Sequence, residues 1–560
     1  MQININKLGH RWKGEYNSST TYDENDVVYK EGIVYIVDAV GNLSVMAKGQ
    51  QDVLTKGHLL TGSTSVGGVK QQVLHSKGNS GIEFRYGDER NTYAVKSLGE
   101  KMLSMRNISY PYNYFTPRLL MTDGTVRTWG QSQNDGRHGF GNAGNNTAHY
   151  TTKRVAFPKD VVIDKLFPHT THPAAIDVNG YSWGWGAYAG NGSTSVQIPV
   201  RHADTLPELE NEKIKHIETC YAYYGTGPVF LLTETGKLYA YGYNGYGQVG
   251  DGTTTNVNTI KRIGESEFTH PITKILCTMA ATYGWTAVQD SQGQVWTTGN
   301  HSNYGLSPTG TIFQKQTKFV GSAYSGIVDI SAEIGDYHGA GSSYYGSCFV
   351  QMSDGKVYNI TNSGLNQVSW GGTNNYSNFL FAENVKEHMA VNGGYGRAMY
   401  IGNSNDPNGE NSLYFRGYNG GHSQNSNPTG ANTTTWVPVL DENLQQIKAV
   451  KFNMNGSHYS SHFSALKEDG RLYMWGFNNQ GSSGMGQPNT NTPANTGLQP
   501  AIISEPIVDY QVNGYSSSGT GYWYVLALGQ SGKAYVCGYN NYGSANNPNG
   551  NYYTFQPIRY

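Results

Sequence analysis

One pattern recurs along this chain at steps close to sixty residues. Two slots six residues apart hold glycine: Gly124 and Gly130, Gly180 and Gly186, Gly236 and Gly242, Gly293 and Gly299, Gly470 and Gly476, Gly532 and Gly538. Two further copies keep one glycine each, with Gly355 followed by Thr361 and Asn411 preceding Gly417. The second slots fall at 130, 186, 242, 299, 361, 417, 476 and 538, giving intervals of 56, 56, 57, 62, 56, 59 and 62 residues. Self-similarity at a fixed period means that each copy is one supersecondary unit and that neighbouring units share a core.

Every copy has the same grammar. A β-prone run such as VFLLTETG precedes the first glycine and an alternating run such as KLYAYG follows it. Asp-Gly or Thr-Gly between two such runs signals a tight hairpin, because glycine reaches positive φ at little cost. A third run lies upstream, as in IKHIETCYA and IKAVKFNMN. A fourth follows a Gly-rich stretch, as in KRVAFP, IPVRH, IKRIG, TKFVG, WVPVL, PAIIS and QPIRY. Four strands per unit is the size of a propeller blade. The expected fold is all-β: a β-propeller of eight repeat units, forming seven or eight blades. A small β adaptor region precedes it. On this reading YNGYGQVGDGTTTN (243–256) connects two strands of one blade, and the terminal FQPIRY pairs near the first blade to close the ring, removing exposed edges.

Composition agrees with a folded, turn-rich chain. Of 560 residues, 72 are glycine and 43 tyrosine, 14% are charged and the net charge is −1. Disorder is expected of chains with high net charge and few aromatics. Near-neutrality also argues against nucleic acid, since no basic excess is available to release phosphate counterions. No run of 18 apolar residues suggests membrane insertion. The opening MQININKLGHRWKGEYN lacks the apolar core of a signal peptide, so synthesis in a host cytoplasm without standard export is expected. Four cysteines are too few for a disulfide framework. Cys220 and Cys277, 57 residues apart, read as small apolar strand residues.

The stretch HFSALKEDGRLYMWGFNNQGSSGMG (462–486) resembles the repeat of the regulator of chromosome condensation family, as does FLLTETGKLYAYGYNGYGQVGDG. That repeat joins a His-Ser-Ala-Leu-like strand, an acidic-Gly turn, an aromatic-Gly pair and an Asn-x-x-Gly-Gln-Leu-Gly-like loop. His172 and His462 each stand eight residues before a first-slot glycine. The resemblance covers about residues 107–560 and implies a propeller, usually of seven blades.

Two modules lead in. Residues 1–42 contain HRWKGEYNSSTTYDENDVVYKEGIVYIVDAV, which resembles the chitin-binding-type module of glycosidases and viral fibres. The resemblance implies sugar-stacking aromatics, with Trp12, Tyr16, Tyr22 and Tyr35 as candidates and a hairpin turn at Lys30-Glu31-Gly32. Asn25 stands where that module has glycine. Residues 43–106 form a Gly-rich connector. Here DVLTKGHLLTG and QQVLHSKGNSGIEFRYG resemble a bacteriophage tail-fibre module, with His58 and Phe84 departing from its pattern. The propeller is expected to span 107–560.

No sequence motif marks a catalytic site. His-Glu-x-x-His, the phosphate-cradling glycine loop and Cys-x-x-Cys are absent from the sequence. His169/His172 and His458/His462 have metal-like spacing, but His172 and His462 share one repeat position and read as structural. Acid pairs such as Asp23/Glu24 and Glu208/Glu210 lie in turn-like stretches. No catalytic residue, metal or cofactor is expected, and the chain reads as non-enzymatic.

The loops between the first two strands of each unit are rich in Gly, Ser and aromatics, a composition suited to binding surfaces. The candidate contacts for a receptor or glycan are Tyr223, Tyr224, Tyr283, Trp285, Tyr344, Tyr345, Tyr395, Tyr459, Tyr515, Tyr522 and Trp523. Inter-blade filling is the competing role for any one of them. The expected function is virion attachment, as a phage tail fibre whose propeller binds a cell-surface glycan or receptor. Residues 1–106 would meet other virion proteins, and the chain would form a homo-oligomer, with a trimer one option. A virion decoration or knob protein and a polysaccharide depolymerase are the alternatives. A nucleotide-exchange regulator fits less well, since the chain lacks a basic tail.

Overall fold

The computed structural model describes residues 11–15, 26–30, 33–37, 43–45, 73–76, 82–85 and 95–97. From residue 116 onward it describes all but 132–134, 142–147, 168–170, 220–226, 280–283, 302–308, 317–326, 334–346, 362–378, 392–396, 418–432, 457–460, 477, 479–480, 487–497, 518–519, 540–549 and 559–560. The chain divides into two compact units, Met1–Ala94 and Val95–Tyr560.

In the first unit, four short strands (Arg11–Glu15, Asp26–Lys30, Ile33–Val37 and Leu43–Val45) form one sheet. The first two pair parallel, the second and third pair antiparallel with Lys30 opposite Ile33, and the expected turn residues Glu31 and Gly32 lie outside the described residues. A separate hairpin joins Val73–Ser76 to Ile82–Arg85.

The second unit is an eight-bladed β-propeller. Its sheets run through residues 95–154, 163–201, 214–263, 272–315, 327–382, 385–438, 449–476 and 507–557, in each case with neighbours in chain order. Seven have four strands. The seventh has three among the described residues, and there Pro500 bridges to Tyr473 while the amide of Ala501 donates to the carbonyl of Leu472 at 2.7 Å. Proline has no N–H to extend a ladder, so PAIIS stands in for a fourth strand without forming one. The propeller begins at Val95–Ser97, whose pairing to Arg118–Met121 supplies the first strand of blade one, earlier than the sequence boundary at 107. From blade two to blade eight the first strands of successive blades touch one another.

Both glycine slots have a physical cause. First-slot residues turn the second strand into the third with positive φ: +77° at Gly124, +80° at Gly236, +84° at Gly470 and, in the copy without glycine, +66° at Asn411. Asparagine is among the few side chains that tolerate this region. The turn also aims a carbonyl at the next blade. Gly124, Gly180, Gly236, Gly355, Asn411 and Gly470 accept the first amide of the following inner strand, from Ile163, Ile214, Ile272, Val385, Ala449 and Ile507, at 2.8–2.9 Å. The second slot ends the third strand at a bulge. At Gly242, φ is +107° and a Cβ would lie 2.6 Å from the carbonyl oxygen of Gly227. Only hydrogen fits there.

Large side chains just before the second slot fill the wedges between blades. Trp129, Trp185, Tyr241 and Trp475 are buried, and the Trp185 indole donates 3.1 Å to the carbonyl of Arg137 in the preceding blade. The ring closes by packing, not by the strand exchange expected of FQPIRY. Tyr552–Pro557 pairs with Ala534–Gly538 inside blade eight. Leu119, Met121 and Trp129 of blade one share a core with Tyr524, Leu526, Leu528, Val536 and Ile558 of blade eight.

Candidate ligand-binding face

A four-stranded meander sends its first-to-second and third-to-fourth connections to one edge, and its second-to-third and blade-to-blade connections to the other. Sequence then makes the two faces of the wheel chemically unlike. From blade two to blade eight, the first-to-second connections contain one Asp, Glu, Lys or Arg, which is Asp336. The third-to-fourth connections of those blades also contain one, Asp251, and Lys261 pairs with it. The opposite face carries the charge, including Glu212 paired with Lys237, Arg262 with Glu265, and Arg471 with Asp469 and Glu442.

The uncharged face has an ordered frame. In YNGYGQVGDGTTTN, fully buried Asn244 accepts the Val249 amide at 2.9 Å and donates to Asp251 Oδ1 (2.9 Å) and the Thr253 carbonyl (3.0 Å). Gln248 accepts the Tyr246 amide and donates to the Tyr243 carbonyl. So folded, the loop reaches the next blade, where the Gly252 amide donates to Thr311 at 2.8 Å. The same clasp recurs from Gly141 to Gln197, Gly192 to Asn258 and Gly486 to Tyr553, at 2.7–3.0 Å. Asn478, accepting the Ser483 amide at 2.8 Å, repeats the role of Asn244.

The first hairpin of blade eight is described over most of its length. The third strand of that blade last pairs with the second at Tyr524 opposite Gly538. The first hairpin continues through Trp523–Gly514, Tyr522–Tyr515, Gly521–Ser516 and Thr520–Ser517. Among the described residues, the hairpins of blades four and seven run one pair past the second-slot glycine.

The expected contact residues divide accordingly. Tyr515 stands opposite Tyr522 in the strand register, and the half-buried Tyr522 ring lies 4.8 Å from that of Tyr539, a residue the sequence reading missed. Its only signal was an aromatic directly after a second-slot glycine, as at Tyr243. Trp285 and Trp523 are each 1% exposed and present no face to a ligand. Both open or root a strand, so they fill the blade. Tyr223, Tyr224, Tyr283, Tyr344, Tyr345, Tyr395 and Tyr459 lie outside the described residues, as do Tyr16 and Tyr22. Trp12 and Tyr35 sit in strands of the first unit.

The repeat histidines are interior. His172 and His462 are buried, and burial pushes both imidazoles down to about 4. His172 packs edge-on against Tyr188, and His462 Nε2 lies 3.3 Å from the Ser482 carbonyl. His202 is held down to about 4 by the same desolvation, beside Ser182 Oγ and the Tyr241 ring. Cys277 is buried in its strand. Among the described residues no three His, Cys, Asp or Glu converge as metal ligands, and no helix is long and apolar enough to cross a membrane.

No family model matches the chain. Over 168 residues it is 29% identical to the E3 ubiquitin-protein ligase HERC2 of Homo sapiens, a match covering 29% of this chain and 3% of that protein. Over 135 residues it is 29% identical to the Ultraviolet-B receptor UVR8 of Arabidopsis thaliana, covering 23% of this chain and 28% of the receptor. The yeast protein Prp20, also named RCC1 and solved bound to Kap60, matches 82% of this chain and 90% of its own at 15% identity and a TM-score of 0.43. The chain thus spans a small part of the curated relatives it matches. Its repeats form an eight-bladed propeller.

Proposed function

We propose that the chain is a non-enzymatic attachment protein of a virion, a tail-fibre component whose propeller binds a cell-surface receptor of glycan type. The observation that carries this reading is the division of charge between the two faces. On blades two to eight the connections of one face are written in tyrosine, asparagine, serine and glycine with two acids between them, whereas those of blade one add Glu100, Lys101, Arg106, Asp135 and Arg137. Such a surface suits hydroxyl-rich ligands, with flat rings for apolar sugar faces and amides and hydroxyls for the rest. The clasps give that face a rigid base, which lowers the ordering cost of binding. Residues 1–106, through their likeness to fibre and sugar-binding modules, supply the link to other virion proteins. The relatives that share the repeat point to the broader class of partner-binding propellers, of which glycan attachment is the specific case argued here.

The test is adsorption of the purified full chain to intact host cells. Binding competed by isolated surface polysaccharide is the expected result. Release of reducing sugar during incubation would make the chain a depolymerase. Binding lost after protease treatment of the cells, but kept after periodate, would make the receptor a protein.

A further inference from the structure

We infer that a cleft on the charged face, between blades three and four, binds the carboxylate of an acidic sugar residue. The inference goes beyond the attachment reading, which rests on the opposite face.

The cleft has a volume of about 220 Å³. Its walls are the blade-three turn at Gly236-Lys237, the end of the fourth strand at Arg262, and Glu265 with Phe268–Pro271 of the connection to blade four. That connection is braced. The Phe268 ring lies 5.0 Å from that of Phe313 and 5.8 Å from that of Trp296, and its amide donates to the Gly264 carbonyl at 3.0 Å. Gly264 has φ +69°, and a Cβ there would stand 2.1 Å from the Phe268 ring, so glycine is what lets the ring close down. A wall fixed in this way gives up little freedom on binding.

Blade three departs from the repeat at this cleft. The residue after its first slot is Lys237, and the fourth-strand residue opposite Tyr239 is Arg262. In each of the other seven blades at least one of these two places is uncharged, as with Tyr181 and Arg201 in blade two or Arg471 and Pro500 in blade seven. His270 adds a third basic group to the lining, against the single acid Glu265.

The neighbouring acids leave these cations available. Asp290, 3.9 Å from His270 Nδ1, already accepts the Trp296 indole at 3.1 Å and the Gln292 and Gln294 amides at 2.9 Å. Glu212, which pairs with Lys237, also accepts the Thr235 hydroxyl at 2.6 Å. Arg262 donates Nη1 to Glu265 at 2.6 Å, while its Nε and Nη2 meet no partner among the described residues. Glu265 is 69% exposed, and a pair so exposed is weak enough for a ligand to displace. The planar guanidinium fork then fits a carboxylate through two parallel bonds. Size narrows the ligand further. The cleft is smaller than the roughly 300 Å³ at which pockets for drug-sized molecules begin, so it takes one ring-sized group. Phe268 offers an apolar wall and Thr269 a hydroxyl, which suits a sugar ring carrying the acid.

The experiment is calorimetric titration of the full-length chain with glucuronate, glucose, inorganic phosphate and triglutamate. Glucuronate is expected to bind, and glucose about tenfold or more weaker, since it lacks the charge-assisted pair. Arg262→Gln should weaken glucuronate by about tenfold, and Arg262→Lys by less, because lysine keeps the charge without the fork. Lys159→Gln, which removes an exposed cation elsewhere on the same face, should bind as wild type does. If thermal melting shows that Arg262→Gln fails to fold, Lys237→Gln must show the loss instead. No binding of glucuronate, equal binding of glucose, or full affinity in the folded variants overturns the cleft. Tighter binding of phosphate or of triglutamate overturns the sugar and assigns the cleft to a phosphate group or an acidic peptide. Host-cell adsorption is measured on Arg262→Gln in parallel, so failure of this cleft and failure of the opposite face are read separately.

Discussion

The carbonyl of Asn411 accepts the amide of Ala449 at 2.8 Å, joining the turn of blade six to the inner strand of blade seven. Asn411 achieves this at φ +66°, where five other first-slot positions use glycine for the same inter-blade bond. Asn411→Gly is therefore expected to change stability by less than about 0.5 kcal/mol, and Asn411→Val to cost roughly 2 kcal/mol, because a β-branched residue strains in this region. Urea denaturation of the two variants checks the contrast. Equal losses would mean the backbone conformation is not what the slot selects.

Gly236 is held more tightly. At φ +80°, an added Cβ would stand 2.5 Å from Pro271 Cβ and 2.8 Å from the Ile272 nitrogen, the donor of the inter-blade bond. Gly236→Ala combines left-handed strain with a clash and is expected to lose about 2–4 kcal/mol. A thermal midpoint within a degree of wild type would refute this account of the slot.

Asn244→Ala removes the buried side chain that shapes the clasp of blade three. Val249 N–H loses its acceptor, Asp251 and the Thr253 carbonyl each lose one donor, and about 2–4 kcal/mol should follow. Hydrogen exchange provides the local readout. The Gly252 amide, bonded to Thr311 of the next blade, should exchange faster, while the Ile214 amide, bonded to Gly180, stays protected. Unchanged protection of Gly252 would show that the clasp holds without Asn244.

Acid should unfold the propeller through its histidines. His172, His202 and His462 are neutral in the folded state, held down to about 4 by burial. Unfolding returns each to about 6.5. Between those values the unfolded chain binds protons that the folded chain does not, so stability is full above pH 7 and falls as pH drops from 6.5 toward 4. The slope is at most about 1.4 kcal/mol per pH unit for each histidine. Urea midpoints measured from pH 7.5 to 4.5 should decline, and His462→Gln should reduce the slope by one proton. A midpoint that stays level down to pH 5 would contradict the burial of these rings.

The repeat, its eight units and its all-β character were legible from the sequence, because tight turns and bulges demand glycine at a fixed spacing whatever surrounds them, while seven or eight blades remained open there. The binding candidates were less legible. Trp285 and Tyr522 have similar loop-edge sequence settings, yet the first is buried and the second is half-exposed. How far a hairpin runs past its blade depends on where the third strand stops, which no local pattern states.

The aromatic three residues after the first slot shows where that division lies. Local sequence requires a large half-polar ring at Trp183, Trp296, Tyr414, Tyr473 and Tyr535, since each packs apolar carbon and keeps one polar atom. The carboxylate that receives that atom comes from different places. Asp177 and Asp290 accept from across their own hairpins, Asp406 from an enlarged turn, and Glu442 and Glu505 from the segment arriving from the previous blade. Periodic backbone geometry is written in short-range residue spacing. Which acid meets which ring, which face stays uncharged and which hairpin outgrows its blade depend on groups distant in the chain that meet only once the wheel has closed.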